Sequence, residues 1–213
     1  MKALATRFTM FVLGLFILSY GVALAIRSSL GVSPISSFPV AISKVTGMTV
    51  GRITIFFYLA LVVAQIIILR KDFKVKNLLQ IAFSSVFGFF TDSALSVTAV
   101  LAPQSYIIKL LFLLTSVFLM GLAVFMLLVA DIVNNSPEAL CKAISDKYSI
   151  DFAKVKIWFD LSCVAASATI SLVFFGNIGL IREGTIIGAL FIGKIGGFFY
   201  RSYKHKVVAM LGI

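Results

Sequence analysis

The sequence predicts an all-α polytopic membrane protein. Six transmembrane helices form two inverted three-helix repeats, each with a short re-entrant or broken Ser-Pro helix. Three observations lead there: the composition, the spacing of the apolar segments, and a likeness between the two halves of the chain. Of 213 residues, 61% are apolar and 13% charged, and the mean hydropathy is +1.10. A soluble domain runs at about 45–50% apolar and about 25% charged. The departure is in the direction lipid requires, and it excludes a soluble enzyme, a disordered chain and a disulfide scaffold. The formal charge of +11 lies in short runs between apolar segments, so it does not indicate nucleic-acid binding. Two cysteines, Cys141 and Cys163, are too few for a disulfide framework.

A helix needs roughly 17–25 apolar residues to cross the hydrocarbon core. Phe8–Ile26, Ile53–Leu69, Leu78–Leu101, Tyr106–Ala130, Val155–Phe175 and Gly184–Tyr200 meet that requirement. The third is interrupted by Asp92, which is expected to cap it early. The sixth carries Lys194 near its centre.

The basic residues set the orientation. With the N-terminus inside, the inner segments hold Lys2, Arg7, Arg70, Lys71, Lys74, Lys76, Lys142, Lys147, Lys154, Lys156, Arg201, Lys204 and Lys206. The outer connections hold Arg27, Lys44, Arg52, Lys109 and Arg182. This asymmetry fits both termini in the cytoplasm. Lys2, Arg7 and the small-residue site Ala23-Leu24-Ala25 imitate a signal peptide. The first helix is nevertheless expected to stay, because the repeat needs it.

The repeat rests on Ser33-Pro34 against Ser136-Pro137, and on Ala41-Ile42-Ser43 against Ala143-Ile144-Ser145. Ile55, Phe57 and Leu59 then match Ile157, Phe159 and Leu161, and Gly88-Phe89-Phe90 matches Gly197-Phe198-Phe199. Residues 1–102 form the first repeat and 103–213 the second. Each holds three spans. Three is odd, so the second half enters the membrane inverted, as in many secondary transporters whose site lies at the repeat interface near the midplane.

The connectors 28–52 and 131–154 are too apolar for ordinary loops and too short or polar for clean spans. Ser as N-cap and Pro at the first helical position predict a short helix from Pro34 to near Gly47, and another from Pro137 to near Ser149. A broken helix pointing its N-terminus into the membrane offers free N–H groups and a positive dipole end, which suit an anion or carboxylate. The same segments could instead lie flat at opposite surfaces or cross fully.

Leu30-Gly31-Val32-Ser33-Pro34 resembles the Leu-Gly-x-x-Pro signature of the bacterial YczE/YyaS/YitT group of integral membrane proteins. Asn135-Ser136-Pro137-Glu138 resembles its second copy, without the Leu-Gly pair. Glu183-Gly184-Thr185-Ile186-Ile187, followed by Gly193, resembles the stretch that opens the group's last helix, with Arg182-Glu183 where the group is Gly-rich. The likeness covers essentially the whole chain. It implies a multi-pass protein of the bacterial cytoplasmic membrane and brings no substrate with it.

Ionisable residues inside spans are functional hypotheses by default. Asp160 in the fifth span and Lys194 in the sixth are expected as a coupling or structural ion pair. Arg27 and Asp131 end the first and fourth spans beside the Ser-Pro segments, as gates, ligand charges or snorkelling groups. The candidate substrate-binding set is Arg27, Ser33, Pro34, Asp131, Asn134, Asn135, Ser136, Pro137 and Glu138. Glu183 reads as a helix cap, and Gly184-x-x-x-Gly188 as close packing. No Cys/His/carboxylate cluster has metal spacing. No P-loop or dinucleotide fingerprint occurs, and no nucleophile motif supports an enzyme.

The expected function is a small secondary transporter of a small metabolite or anion, with no cofactor, no metal and no nucleic-acid partner. The lipid bilayer is its environment, and a homodimer is compatible. The alternatives are a substrate-binding membrane subunit that needs an energising partner, and a non-transporting membrane accessory protein.

Overall fold

The computed structural model describes residues 2–211, which form eight α-helices. They are α1 (Lys2–Ser28), α2 (Pro34–Thr46), α3 (Val50–Leu69), α4 (Leu79–Val97), α5 (Tyr106–Ala130), α6 (Ser136–Tyr148), α7 (Phe152–Phe175) and α8 (Glu183–Leu211). The order long, short, long, long therefore occurs twice. Two 3₁₀ turns lie between α3 and α4, and a third directly follows α4.

The two halves share local geometry at an offset of 102 residues. Left-handed backbone follows α1 at Ser29 and α5 at Asp131, then follows α2 at Gly47 and α6 at Ser149. The Ser43 hydroxyl donates to the Met48 carbonyl at 2.7 Å, and the Ser145 hydroxyl donates to the Ile150 carbonyl at 2.7 Å. Thr49 caps α3 by accepting from the Arg52 amide, and Asp151 caps α7 by accepting from the Lys154 amide. The same hydroxyl-closed turn thus joins each short helix to the long helix after it.

Five helical stretches are long and apolar enough to cross a membrane: Leu4–Ser28, Val50–Asp72, Val75–Val100, Tyr106–Ala130 and Phe152–Phe175. The sixth expected span falls in α8. That helix is 29 residues long, but Glu183, Lys194 and its glycines dilute the apolar stretch, and it is not among the five. The second Ser-Pro helix begins at Ser136, one residue earlier than expected, with Asn135 as N-cap and Pro137 inside the first turn. α4 is not ended by Asp92 either. It continues to Val97, because the Asp92 side chain bonds to α3 and not to its own backbone.

The chain divides into two units, each drawing on both halves. The first comprises 1–33, 93–132 and 182–213. In it α1 and α5 run antiparallel, with Gly14 against Leu127 and Gly21 against Met120. α8 runs parallel to α5. Gly121 meets Ile195, Gly196 meets Val124, and the Phe199 ring packs on Phe118 and Phe125. Missing side chains at the glycines let the backbones approach, the usual route to helix packing in lipid. Leu30, Leu113 and Val117 form a buried cluster beside the start of α8, where the Gly184 amide donates to the Leu30 carbonyl at 2.8 Å.

The second unit comprises 34–92 and 133–181. In it the short helices exchange partners between halves. α2 lies on α7, where the Ser167 hydroxyl donates to the Ser37 carbonyl at 3.1 Å. α6 lies on α3, where the Gln65 amide donates to the Ser136 carbonyl at 3.3 Å. α3 and α4 cross at Gly51 and Gly88, each of which abuts the other's backbone.

Candidate functional site

A polar cluster in the second unit lies among α3, α6 and α7, with polar residues of α2 and α4 bonding to the same helices. It begins at the first turn of α6. Ser136 is buried; its carbonyl accepts from Gln65, and its hydroxyl stands 3.4 Å from that of Ser84. Gln65 and Gln80 pair through both amides at 3.1 Å, so these buried side chains satisfy one another across α3 and α4. Such mutual bonding removes the cost of burying an amide away from water.

Glu138 stands in the same first turn, where a carboxylate complements the helix dipole. Its own backbone N–H reaches the carboxylate. Oε2, however, is sealed and makes no hydrogen bond. Ser171 Oγ and Thr185 Oγ1 are likewise buried without a partner among the described residues, but neither carries charge. Glu138 is within electrostatic reach of Lys156 and Asp160 on α7 and of Tyr58 on α3. The Lys156 ammonium is already engaged, donating to both carboxylate oxygens of Asp160 at 2.5 and 2.7 Å. Tyr58 is buried, with its ring stacked on Phe87 at 5.9 Å. Cys141 and Cys163 are buried thiols beside these groups.

The structure places the other sequence-selected residues as follows. Arg27, part-buried, donates to the Leu95 carbonyl at 2.6 Å and to Thr98 Oγ1 at 3.5 Å, and so caps the last turn of α4. Asp131 is exposed and closes α5 in a left-handed conformation. Ser33 is part-buried beside Gly188, and Pro34 is buried as the first residue of α2. Asn134 is exposed. Asn135 is the N-cap of α6 without a side-chain cap bond, and Pro137 is buried.

Asp160 pairs with Lys156, one turn back on its own helix, whereas Lys194 is exposed with its ammonium 5.6 Å from the centre of the Phe191 ring. The i,i+4 spacing puts Lys156 and Asp160 on one helix face, which explains the choice. Arg27, Ser33, Asp131 and Lys194 belong to the first unit; the rest of the set belongs to the second.

Tyr58, Gln65, Gln80 and Lys156 join the cluster although none is in the set selected from sequence, where Lys156 stands only among the inner basic residues. The Lys156–Asp160 spacing was the signal available for one of them. Among the described residues no group of His, Cys, Asp and Glu is placed to hold a metal ion.

An all-helical chain with several apolar spans and a buried polar cluster defines a multi-pass membrane protein. The chain belongs to the family described as "Family of unknown function (DUF6198)", which it matches over residues 5–201. It is 28% identical over 178 residues to "Uncharacterized protein YyaS" of Bacillus subtilis (strain 168), covering 82% of this chain and 83% of that protein. No solved structure matches it.

Proposed function

We propose that the protein is a small secondary transporter of a small metabolite or ion in the bacterial cytoplasmic membrane. It has six spans in two inverted halves, α8 supplying the sixth, and both termini face the cytoplasm. The short helices are re-entrant, and the substrate site lies where the halves meet within the second unit. The observation that carries this reading is the exchange of the short helices. α2 bonds to α7 of the other half through Ser37, and α6 bonds to α3 through Ser136.

Each of those contacts lies within the first turn of a short helix and well inside the long helix it meets. Irregular backbone at such depth is tolerated where it is buried in protein or lines a cavity. Three spans per half, with the same hydroxyl-closed turn after each short helix, support an inverted pair. That arrangement places sites between repeats.

The test is flux. Purified protein in liposomes is loaded with a mixture of small metabolites, and counterflow of labelled members is measured against empty liposomes. Saturable, protein-dependent exchange is expected. Liposomes that remain as tight as protein-free ones toward every member would remove the transport assignment.

A further inference from the structure

We propose that the cluster around Glu138 binds an organic ammonium group, so that the site takes an amine-bearing substrate and not an anion. The inference deepens the transporter reading and rests on it for the word substrate, though the binding site stands without transport.

The charge balance comes first. Two carboxylates, Glu138 and Asp160, lie within electrostatic reach of each other, and Lys156 is the one cation that acts on Glu138 from the elements packed against it. Lys156 is spent on Asp160, to which it donates at both oxygens. An ionised Glu138 therefore has no cation of its own, and its Oε2 is sealed and accepts from nothing.

A buried carboxylate oxygen without a donor costs free energy until a donor arrives. The other groups within reach of Glu138 supply no cation: Tyr58 comes from α3 and Cys141 from α6 itself.

The second observation is aromatic. Tyr58 is stacked on Phe87 at 5.9 Å, and next to it Phe57 packs on Phe38 at 5.0 Å. α2, α3 and α4 thus contribute to one aromatic group that includes Tyr58, the ring within electrostatic reach of Glu138. Ring faces attract cations, and a carboxylate with aromatic neighbours is the pairing that recognises an organic ammonium. An anion has no comparable place here. Glu138 itself occupies the first turn of α6, where the helix dipole would otherwise favour one.

The experiment is thermal unfolding of the full chain in detergent, with tetramethylammonium and propylammonium as probes and propionate and inorganic phosphate as matched anions. A ligand that binds the native state raises apparent stability as its concentration passes its dissociation constant. Saturable stabilisation by an ammonium probe, and by neither anion, is expected. Glu138→Gln should abolish the shift without lowering the ligand-free unfolding temperature. Asp160→Asn should also abolish it while leaving Glu138 in place, because the freed Lys156 neutralises the carboxylate.

An absent ammonium shift, or one that survives Glu138→Gln, overturns the site. Counterflow in liposomes separates the two proposals. Exchange of anions without any ammonium effect sinks this inference and keeps the transporter. Ammonium binding without exchange of any solute keeps the site and sinks the transporter.

Discussion

The carboxylate of Asp92 on α4 caps the N-terminus of α3, with Oδ1 accepting from the Gly51 amide at 2.7 Å and Oδ2 from the Thr49 hydroxyl at 2.6 Å. The first turn of a helix carries N–H groups without intrahelical partners and a positive dipole end. One side chain from a neighbouring helix answers both needs. Hydrogen bonds to a charged group are worth about 1.5–3 kcal/mol each. Asp92→Ala is therefore expected to lower stability by about 1–3 kcal/mol, and Asp92→Asn by less. Equilibrium unfolding in mixed micelles reads the difference, and an unchanged midpoint for Asp92→Ala rules out the cap.

Close approach of α3 and α4 depends on glycine. A methyl group at Gly51 collides with the Gly88 carbonyl and the Asp92 carboxylate, none of which is a flexible side-chain end free to move aside. Gly51→Ala is expected to force the helices apart and to cost several kcal/mol, about the range of severe overpacking, 1–3 kcal/mol, plus the lost cap. Gly193→Ala has open space around it and should be neutral or stabilising by up to about 1 kcal/mol through helix propensity. Paired melting curves for the two variants make the comparison; equal midpoints contradict the crossing.

The Gln65–Gln80 pair predicts coupling. Each amide satisfies the other at 3.1 Å in a buried setting. Removing one leaves its partner without that bond, so the single alanine variants should cost nearly as much as the double. Interhelical hydrogen bonds in membranes average about 0.6 kcal/mol and reach about 1.7 kcal/mol in such cycles. A coupling energy in that range is expected. Strict additivity of the two variants shows that the pair does not act as one.

Inversion of the halves is testable by labelling. Met48 and Ile150 are equivalent, exposed positions in the turns after the two short helices. In a background with Cys141 and Cys163 replaced by Ala, Met48→Cys is expected to react with a membrane-impermeant maleimide on intact cells. Ile150→Cys is expected to react only after permeabilisation. Labelling of both from one side eliminates the inverted arrangement.

Arg27 carries a further prediction. Its guanidinium caps the end of α4 through Leu95, and a cation there complements the C-terminal dipole. Arg27→Met keeps the stem and removes the cap. A loss of about 1–2 kcal/mol is expected, measured as a drop in apparent melting temperature. No drop assigns Arg27 to the interface alone.

Apolar periodicity and length by themselves determined that this chain is a multi-pass helical protein. Tyr106–Ala130 was legible to the residue, because an apolar run charged only at Lys109 near its start and bounded by Ser105 and Asp131 leaves little choice of register in lipid. Turn chemistry did the same for the short helices. Gly47 and Ser149 end them where expected, since left-handed backbone stops a helix locally. Ionic and amide partners were not legible in this way. Asp92 reads as a helix terminator, yet it caps a different helix 41 residues upstream at Gly51. Asp160 reads as a partner for Lys194, yet it bonds to Lys156. Gln65 and Gln80 lie on separate spans, and nothing in their spacing shows that they are each other's partners. Sequence spacing encodes which residues share a face of one helix, and that information is local. Which faces meet is decided by where glycines let backbones approach and by which buried polar atoms must be paired. Those demands are satisfied between segments far apart in the chain, so the tertiary structure alone settles them.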